Sequence, residues 1–343
     1  MRYVPTEKLE LGMLIASPIN DNRGRILING YTELSEKYLE KIKLLGLPGI
    51  YVEDNCSIDI VIKDLINPKL RTLGVNAIKA QDVELCNKIA KNIVNEILSN
   101  TNWDCGMVDI RSFDEYLFRH SVQVAVLSTM IGVGLGISDR ELVDLCLAGL
   151  LHDFGMERVG KDICTTDVAL SYLDVKNIKL HSKISVRMVE EYKDIPMTTR
   201  IGILQHHENI DGSGYPDGKS GDQIHLFAKI IHVADTYDAL ISKRPYRKPY
   251  DYMEAVEYLM GRCDTHFDKK VVMTFLETIP VYPKGFPVSL SDGREGFVVS
   301  NKKGAPLRPV IRLFDGEEID LSLTEKNRNL TICSVMETED QFY

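Results

Sequence analysis

All eight histidines of this 343-residue chain lie between His120 and His266, and the remaining stretches, more than half of the chain, contain none. Chance would spread them more evenly. The same stretch carries Asp235 at the end of an apolar run that starts at Ile230, and a buried carboxylate is costly unless it is paired or coordinated. Imidazole and carboxylate groups together suit iron, manganese or zinc, and the absence of cysteine from the cluster disfavours a structural zinc site. The chain must therefore fold so that distant residues of this stretch meet, with metal coordination as the simplest reason.

Residues 104–280 have the apolar periodicity of successive helices. Ser138, Ser182 and Asp268 are suitable N-caps in front of apolar stretches. The apolar run 122–137 contains polar residues and three glycines, so it predicts a buried core helix rather than a membrane span. The predicted helices cover about 112–135, 138–153, 182–192, 198–208, 223–242, 250–261 and 268–278. This pattern predicts a mainly α fold for the central part of the chain.

Smaller segments flank the helical stretch on both sides. Residues 1–60 combine short β-prone runs, such as 49–52, with a helix at about 33–45, which predicts a small α+β module with a structural or regulatory role. Residues 281–343 predict a small β-rich tail. Its predicted strands lie near 296–300, 308–314 and 330–335.

Residues 61–103 predict a helical connector, with one helix from about 78 to 98. Its apolar stripe is formed by Cys86, Ile89, Ile93 and Ile97. Such a stripe is usually core. The alternative is a connecting helix that carries a signal or packs against its mate in a homodimer.

Composition limits the class of partner. The net charge of −9 argues against a protein that coats nucleic acid or an anionic membrane, although a small anionic ligand remains compatible with a local basic cluster. The seven cysteines are scattered, form no CxxC pair and are odd in number, which argues against a disulfide framework. The first residues lack the apolar stretch of a signal peptide. We therefore expect a cytoplasmic protein.

A long motif narrows the function. His152-Asp153, the run HHENIDGSGYP from His206 to Pro216, VADTYDAL ending at Leu240, and RPYR beginning at Arg244 follow one another in this order. Together they resemble the HD-GYP family of the HD-superfamily metal-dependent phosphohydrolases. The resemblance covers about residues 104–280. It implies an HD-type helical bundle that hydrolyses the signalling nucleotide cyclic di-GMP, with iron or manganese as the usual metals.

The resemblance also implies a binuclear site and its ligands. One ion would be bound by His120, His152, Asp153 and Asp235, and the other by Asp153, His181, His206 and His207. Asp153 would then bridge the two ions and be the catalytic residue. Two adjacent divalent ions can activate a bridging hydroxide for attack on phosphorus, which gives pGpG and/or GMP. The implied substrate contacts are Gly214, Tyr215, Asp238, Arg244 and Arg247, of which the arginines suit phosphate oxygens.

Two positions depart from the family pattern. Tyr116 stands where some members have a glutamate that binds a third metal, so two ions are predicted. Met156 stands where the family usually has the lysine of His-Asp-x-Gly-Lys, and methionine cannot transfer a proton; Arg158 and Lys161 are poor substitutes. The enzyme is therefore predicted to be slow. One alternative is a protein that binds cyclic di-GMP and metal but signals without hydrolysis, and another is a phosphodiesterase for a mixed cyclic GMP-AMP.

Overall fold

The computed structural model describes residues 1–20, 25–62, 64–100, 116–159, 171–242, 249–302 and 304–335. These residues divide into two compact units, each discussed by itself. The larger unit contains residues 66–100 and the chain from 116 to 279. The smaller unit contains Met1–Leu65 and the chain from Pro280 onward.

The larger unit is helical, which confirms the predicted mainly α fold. Its described helices are Pro68–Lys79, Val83–Ser99, Tyr116–Gly134, Asp139–Leu151, Met156–Val159, Tyr172–Ile178, His181–Val189, Met197–Gln205, Leu226–Ile241, Tyr252–Gly261 and Lys269–Thr278. No helix within the described ranges combines the length and the apolar character that crossing a membrane requires.

The helices Tyr116–Gly134 and Asp139–Leu151 pack against each other at the centre of this unit. A side chain at Gly149 would place its Cβ 2.7 Å from the Cα of Ala125, so glycine permits the close approach of the two backbones. The second helix starts where predicted, because the Ser138 hydroxyl accepts the Glu141 N–H. Residues of the run 122–137, such as Leu127, are fully buried, which confirms the predicted core helix.

The connector differs from its prediction, because two helices replace the single helix expected at 78–98. The chain turns between Pro68–Lys79 and Val83–Ser99 at Gln81, which has a positive φ of 56°, and Asp82 caps the second helix by accepting the Leu85 N–H. The predicted stripe on the second helix is completely buried within the helical unit. Its role as core is therefore confirmed.

Two features near the predicted site differ from what the sequence predicts. Ser182 does not cap a helix, because the helix begins at His181 and Ser182 is buried inside it. The preceding helix Tyr172–Ile178, capped by a reciprocal pair between Ser171 and Asp174, was not predicted. It matters for the site because it ends directly in front of His181.

In the smaller unit, the two ends of the chain fold together. The N-terminal sheet is antiparallel and has the strand order Arg2–Pro5, Gly49–Glu53, Leu14–Ile15, Thr32–Glu33. A short pair, Ile19–Asn20 with Ile26–Ile28, and the helix Glu36–Leu44 complete the module. The C-terminal sheet has the order Glu318–Asp320, Val310–Leu313, Glu295–Ser300, Pro287–Leu290, Ile332–Val335, and the short helix Thr324–Asn327 precedes its last strand.

A charged contact joins the two parts of this unit. Arg312 of the C-terminal sheet donates to both carboxylate oxygens of Asp59, at 2.6 and 2.7 Å, and to the Cys56 carbonyl at 2.8 Å. This bidentate geometry is the strong form of an arginine–carboxylate pair. Tyr3 and Phe286 stack with ring centroids 4.3 Å apart. The α+β module and the β-rich tail therefore form one compact unit.

Candidate metal centre

The helical unit brings the seven predicted metal ligands into one cluster. The described residues contain two overlapping groups of possible ligands. Within each group, the ligand atoms all lie within 4.8 Å of one another. The first group is Asp153, His181, His206 and His207, and the second is His120, His152 and Asp153. Asp235 joins the cluster through His120, whose Nε2 lies 2.9 Å from its Oδ1. A cluster of this composition could bind divalent metal ions.

Three of the imidazoles are oriented in the same way by the ends of helices. The Nδ1 of His152, His181 and His206 lies 2.8, 2.6 and 2.7 Å from the carbonyl oxygen three residues earlier, in Gly149, Ile178 and Ile203. These carbonyls belong to the last turns of helices, where backbone oxygens lack an intrahelical partner. A carbonyl only accepts, so each Nδ1 carries the proton. In the neutral ring, each Nε2 is then a free lone pair facing the cluster.

These lone pairs provide a test of whether a metal fits. The buried Nε2 of His152 has no hydrogen-bond partner among the described atoms. The Nε2 atoms of His181 and His206 lie only 3.2 Å apart. Two lone pairs at this distance repel each other unless an added proton or a cation lies between them. The arrangement fits a metal ion, and backbone oxygens behind metal-binding histidines are a common feature of such sites.

Asp153 lies between the two groups. Its Oδ1 is 3.3 Å from Nε2 of His181 and 4.0 Å from Nε2 of His206, while its Oδ2 is 3.6 Å from Nε2 of His152. Its two oxygens therefore face different sets of imidazoles. This is the geometry that a bridging carboxylate would need.

Gly155, two residues after Asp153, lies directly against the helix His181–Val189. Its N–H donates to the Ser185 hydroxyl at 2.8 Å, and this hydroxyl donates to the His152 carbonyl at 2.9 Å. A Cβ at Gly155 would lie 2.5 Å from the His181 carbonyl oxygen, so no larger residue fits without displacing a predicted ligand.

His120 contacts two carboxylates. Its Nδ1 lies 2.6 Å from Oδ2 of Asp238, and its Nε2 faces Asp235. All three side chains lie on the helices Tyr116–Gly134 and Leu226–Ile241, which pack against each other. Asp238 is only 6% exposed. It therefore fixes the ring of His120, while the substrate contact expected for Asp238 stays a prediction.

Burial favours the neutral form of two site histidines, His206 and His207. It lowers the pKa of His206 to about 3, with a further contribution from the adjacent His152 and His181 rings. Burial, with the adjacent His206, also holds the pKa of His207 well below its usual value. Burial would raise the pKa of Asp235, but the hydrogen bond from His120 prevails, so this pKa is lowered. Neutral His206 and His207 beside an ionised Asp235 are the protonation states that metal ligands require.

The loop after His207 is fastened to the cluster by several contacts. The Tyr215 N–H donates to the His207 carbonyl at 3.0 Å, and the Tyr215 ring stacks on the His207 ring with centroids 4.6 Å apart. Glu208, only 1% exposed, accepts the N–H groups of Asp217 at 2.8 Å and Lys219 at 3.0 Å. A Cβ at Gly214 would overlap the backbone of residues 207–209. The loop is therefore pressed against the ligand-bearing segment.

Not every predicted site residue can be placed. Arg244 and Arg247 lie outside the described residues, as do Lys161 and the side chain of Tyr116. Met156 is partly buried at the start of its short helix, and Arg158 is exposed.

The three histidines left out of the predicted site have other contacts. His225 caps the helix Leu226–Ile241, and His232 packs against Phe267 with ring centroids 4.8 Å apart. The ring of His266 contacts its chain neighbours Thr265 and Phe267.

The sequence patterns do not reveal the residues that support the ligands. Glu208 received no role, although a carboxylate directly after the two histidines was a visible signal. The contacts to the carbonyls of Gly149 and Ile203 could have been predicted, since a histidine at a predicted helix C-terminus can hydrogen-bond to a free carbonyl of the last turn. The contact between Asp238 and His120 joins residues 118 positions apart, and no local pattern reports it.

The buried histidine and aspartate side chains of this helical domain form a candidate metal centre. Residues 108–271 match the HD domain family. A cyclic di-GMP phosphodiesterase of Pseudomonas aeruginosa is 32% identical over 69% of this chain and 57% of its own length. A 3′3′-cGAMP-specific phosphodiesterase of Vibrio cholerae is 32% identical over 52% of this chain and 38% of its own. The chain thus spans less than two thirds of either relative.

A solved structure agrees in fold. An HDG"Y"P protein from Bdellovibrio bacteriovorus superposes with a TM-score of 0.52 and 20% identity, over 80% of this chain and 97% of that chain. Residues 108–271 therefore match the HD domain family, and the resemblance to the HD-GYP family is confirmed.

We expect Asp238→Asn to weaken metal binding about 10- to 100-fold, because the variant keeps the shape of the side chain but loses the charge that orients His120. Titration of the metal-free protein with Mn²⁺ measures the change. Asp222→Asn, at an exposed position of the same domain, is the matched control. An unchanged Mn²⁺ affinity with a raised KM would instead assign Asp238 to the substrate.

Proposed function

We propose that the chain is a metal-dependent phosphodiesterase that hydrolyses cyclic di-GMP to pGpG and/or GMP. The observation that carries the proposal is the cluster of five imidazoles and two aspartates, in which three rings are fixed by helix-end carbonyls with Nε2 directed inward. The names of the relatives give additional support for the reaction class.

The proposed site would hold two divalent ions, with Asp153 shared between them. When bound, such ions supply Lewis acidity, which lowers the pKa of water and offsets the charge of a phosphate. Asp235 and Asp238 hold His120, and the helix-end carbonyls hold three further rings, so the site is organised before substrate arrives. Iron and manganese are the proposed metals because the donors are nitrogen and oxygen only.

The chain's own residues would also position the substrate. Tyr215 and Gly214 line one side of the ligand cluster, since the Tyr215 ring stacks on His207. The proposed phosphate contacts Arg244 and Arg247 follow the helix Leu226–Ile241, which carries Asp235 and Asp238. Their planar guanidinium groups suit two phosphate oxygens at once.

A sensor is the second candidate function, and Met156 is the observation that favours it. A thioether cannot give a proton to the leaving 3′-oxygen. A protein with this substitution could bind cyclic di-GMP and metal and signal through its conformation, with little turnover.

A third candidate keeps the reaction and changes the substrate to a mixed cyclic GMP-AMP. The support for it is the similarity to the Vibrio cholerae relative with that specificity in its name. Discrimination between guanine and adenine requires a few hydrogen bonds to the base edge.

The proposed partners are a cyclic dinucleotide and a second copy of the chain in a homodimer. We place the activity in the cytoplasm, where scattered cysteines remain reduced. No polymeric nucleic acid or membrane partner is proposed.

A product assay tests the function. Purified protein with Mn²⁺ or Fe²⁺ is incubated with cyclic di-GMP or 3′3′-cyclic GMP-AMP, products are separated by chromatography, and bound metal is measured by elemental analysis. We expect pGpG or GMP from cyclic di-GMP and about two ions per chain. Bound metal without product would support the sensor, and faster cleavage of the mixed dinucleotide would support the third candidate. Absence of both metal and product would overturn the proposal.

A further inference from the structure

Lys179 contacts an aromatic ring that stacks on one of the predicted metal ligands. The Nζ atom of Lys179 is 5.2 Å from the centroid of the Tyr215 ring, and Tyr215 stacks on His207 with an interplanar angle of 26°. The ammonium group therefore lies next to the ring that stacks on a predicted ligand. No sequence motif gives this lysine a role.

The backbone fixes the position of Lys179 relative to the ligands. Lys179 is the C-cap of the helix Tyr172–Ile178, and its N–H donates to the Val175 carbonyl at 3.2 Å. The neighbouring Ile178 carbonyl accepts from Nδ1 of His181 at 2.6 Å. One short segment thus positions both a proposed ligand and the lysine, so the charge is placed near the site without a long flexible loop.

The ammonium group is also free to take an anion. Within the part of the chain that the structure describes, no carboxylate forms an ion pair with Lys179, whereas the nearby Lys183 is 3.2 Å from Asp217. Lys179 is exposed, and the contact that the described residues give its ammonium group is with the Tyr215 ring, which is a weak interaction at an exposed site. A phosphate oxygen is a stronger partner, because both groups are charged.

The negative charge of the site makes a nearby cation useful for binding an anionic substrate. Asp153, Asp235 and Asp238 make the cluster acidic, and the chain as a whole carries a net charge of −9. A cyclic dinucleotide brings two phosphates on opposite sides of its ring. Metal ligands can serve only the phosphate that reacts, and the other needs a cation a short distance away.

Building on the proposed function, we propose that Lys179 binds the second, non-reacting phosphate of the cyclic dinucleotide. It would act as a substrate-binding residue and would favour diesters with two phosphates over diesters with one. The inference does not depend on Arg244 or Arg247, which lie outside the described residues.

The test compares two substrates and three variants. Lys179→Met removes the charge, Lys179→Arg keeps it, and Lys176→Met removes an exposed charge of the same helix as a matched control. Steady-state kinetics are measured with Mn²⁺-loaded protein on cyclic di-GMP and on bis(p-nitrophenyl) phosphate, which has one phosphate. We expect Lys179→Met to raise KM for cyclic di-GMP about 10-fold with kcat nearly unchanged, since a hydrogen bond to a charged group has this size.

The other measurements separate this inference from the proposed function. Hydrolysis of bis(p-nitrophenyl) phosphate should be the same in all variants, and Lys179→Arg should restore most of the affinity for cyclic di-GMP. An unchanged KM in Lys179→Met, or an equal loss on both substrates, would overturn the inference. If the wild-type protein cleaves neither diester, the proposed function fails, and calorimetric titration with cyclic di-GMP still decides about Lys179. About 10-fold weaker binding of Lys179→Met alone would support it, and equal binding or no binding by the wild type would reject it.

Discussion

Replacing Asp153 with alanine is expected to reduce bound metal from two ions per chain to at most one, and to lower hydrolysis of cyclic di-GMP by at least about 10³-fold. Among the described residues, Asp153 is the one common to both ligand groups, and its two oxygens face His181 and His152 at 3.3 and 3.6 Å. Its removal therefore opens both groups at once. A loss of about 4 kcal/mol in charge stabilisation at the phosphate corresponds to this factor.

The experiment needs metal analysis as well as rates. Asp194→Ala changes an exposed aspartate of the same domain and should alter neither quantity. A thermal unfolding curve of each variant excludes loss of fold as the cause. If Asp153→Ala retained its full metal content, the ligand assignment would have to be abandoned, whatever the effect on hydrolysis.

The helices of this chain could be predicted where local signals agree with packing. The helix Asp139–Leu151 begins at the Ser138 cap, and Lys269–Thr278 begins at the Asp268 cap, whose carboxylate accepts two N–H groups. Apolar periodicity and a capping side chain point to the same residue in both cases. These elements form a framework that needs no knowledge of distant contacts.

The elements that were missed have weaker or conflicting local signals. The break at Gln81 falls inside a stretch that continues the apolar pattern, and its positive φ occurs at a residue other than glycine, so no turn signal marks it. The N-cap Asn67 and the following Pro68 were the available signal for the first helix. The helix Tyr172–Ile178 exposes Tyr172 and Leu173 to solvent, so it lacks the apolar face that sequence analysis looks for.

In the candidate site, too, local sequence patterns predict some features, whereas contacts between residues far apart in sequence determine others. The distribution of histidines and the resemblance carried by the long motif predict seven ligands, and the structure brings these side chains into one cluster. They do not indicate which backbone oxygen holds each ring, nor that Asp238 reaches His120 at 2.6 Å, because these contacts depend on the ends and the packing of separate helices. Ligand types follow from the sequence, whereas the orientation of each ring depends on how the helices pack.

Met156→Lys is expected to raise the rate of cyclic di-GMP hydrolysis by about 10²-fold, the lower end of what general acid–base help contributes. Met156 is the third residue after Asp153, its N–H donates to the Asp153 carbonyl at 2.9 Å, and its side chain is partly buried. The backbone of a lysine at position 156 would therefore be held next to the ligand Asp153. It could donate a proton to the leaving 3′-oxygen, which methionine cannot do.

The pH profile and a matched variant identify the cause of any gain. The protonated lysine is the acid, so the advantage of Met156→Lys over the wild type should be full below the lysine pKa and should disappear as pH rises through it. Met156→Gln introduces a polar side chain of about the length of methionine, but its amide cannot act as an acid. We therefore expect this variant to remain near the wild-type rate. Equal rates for Met156→Lys and the wild type at every pH would show that proton donation at residue 156 does not limit turnover, and the substitution would then cease to favour the sensor.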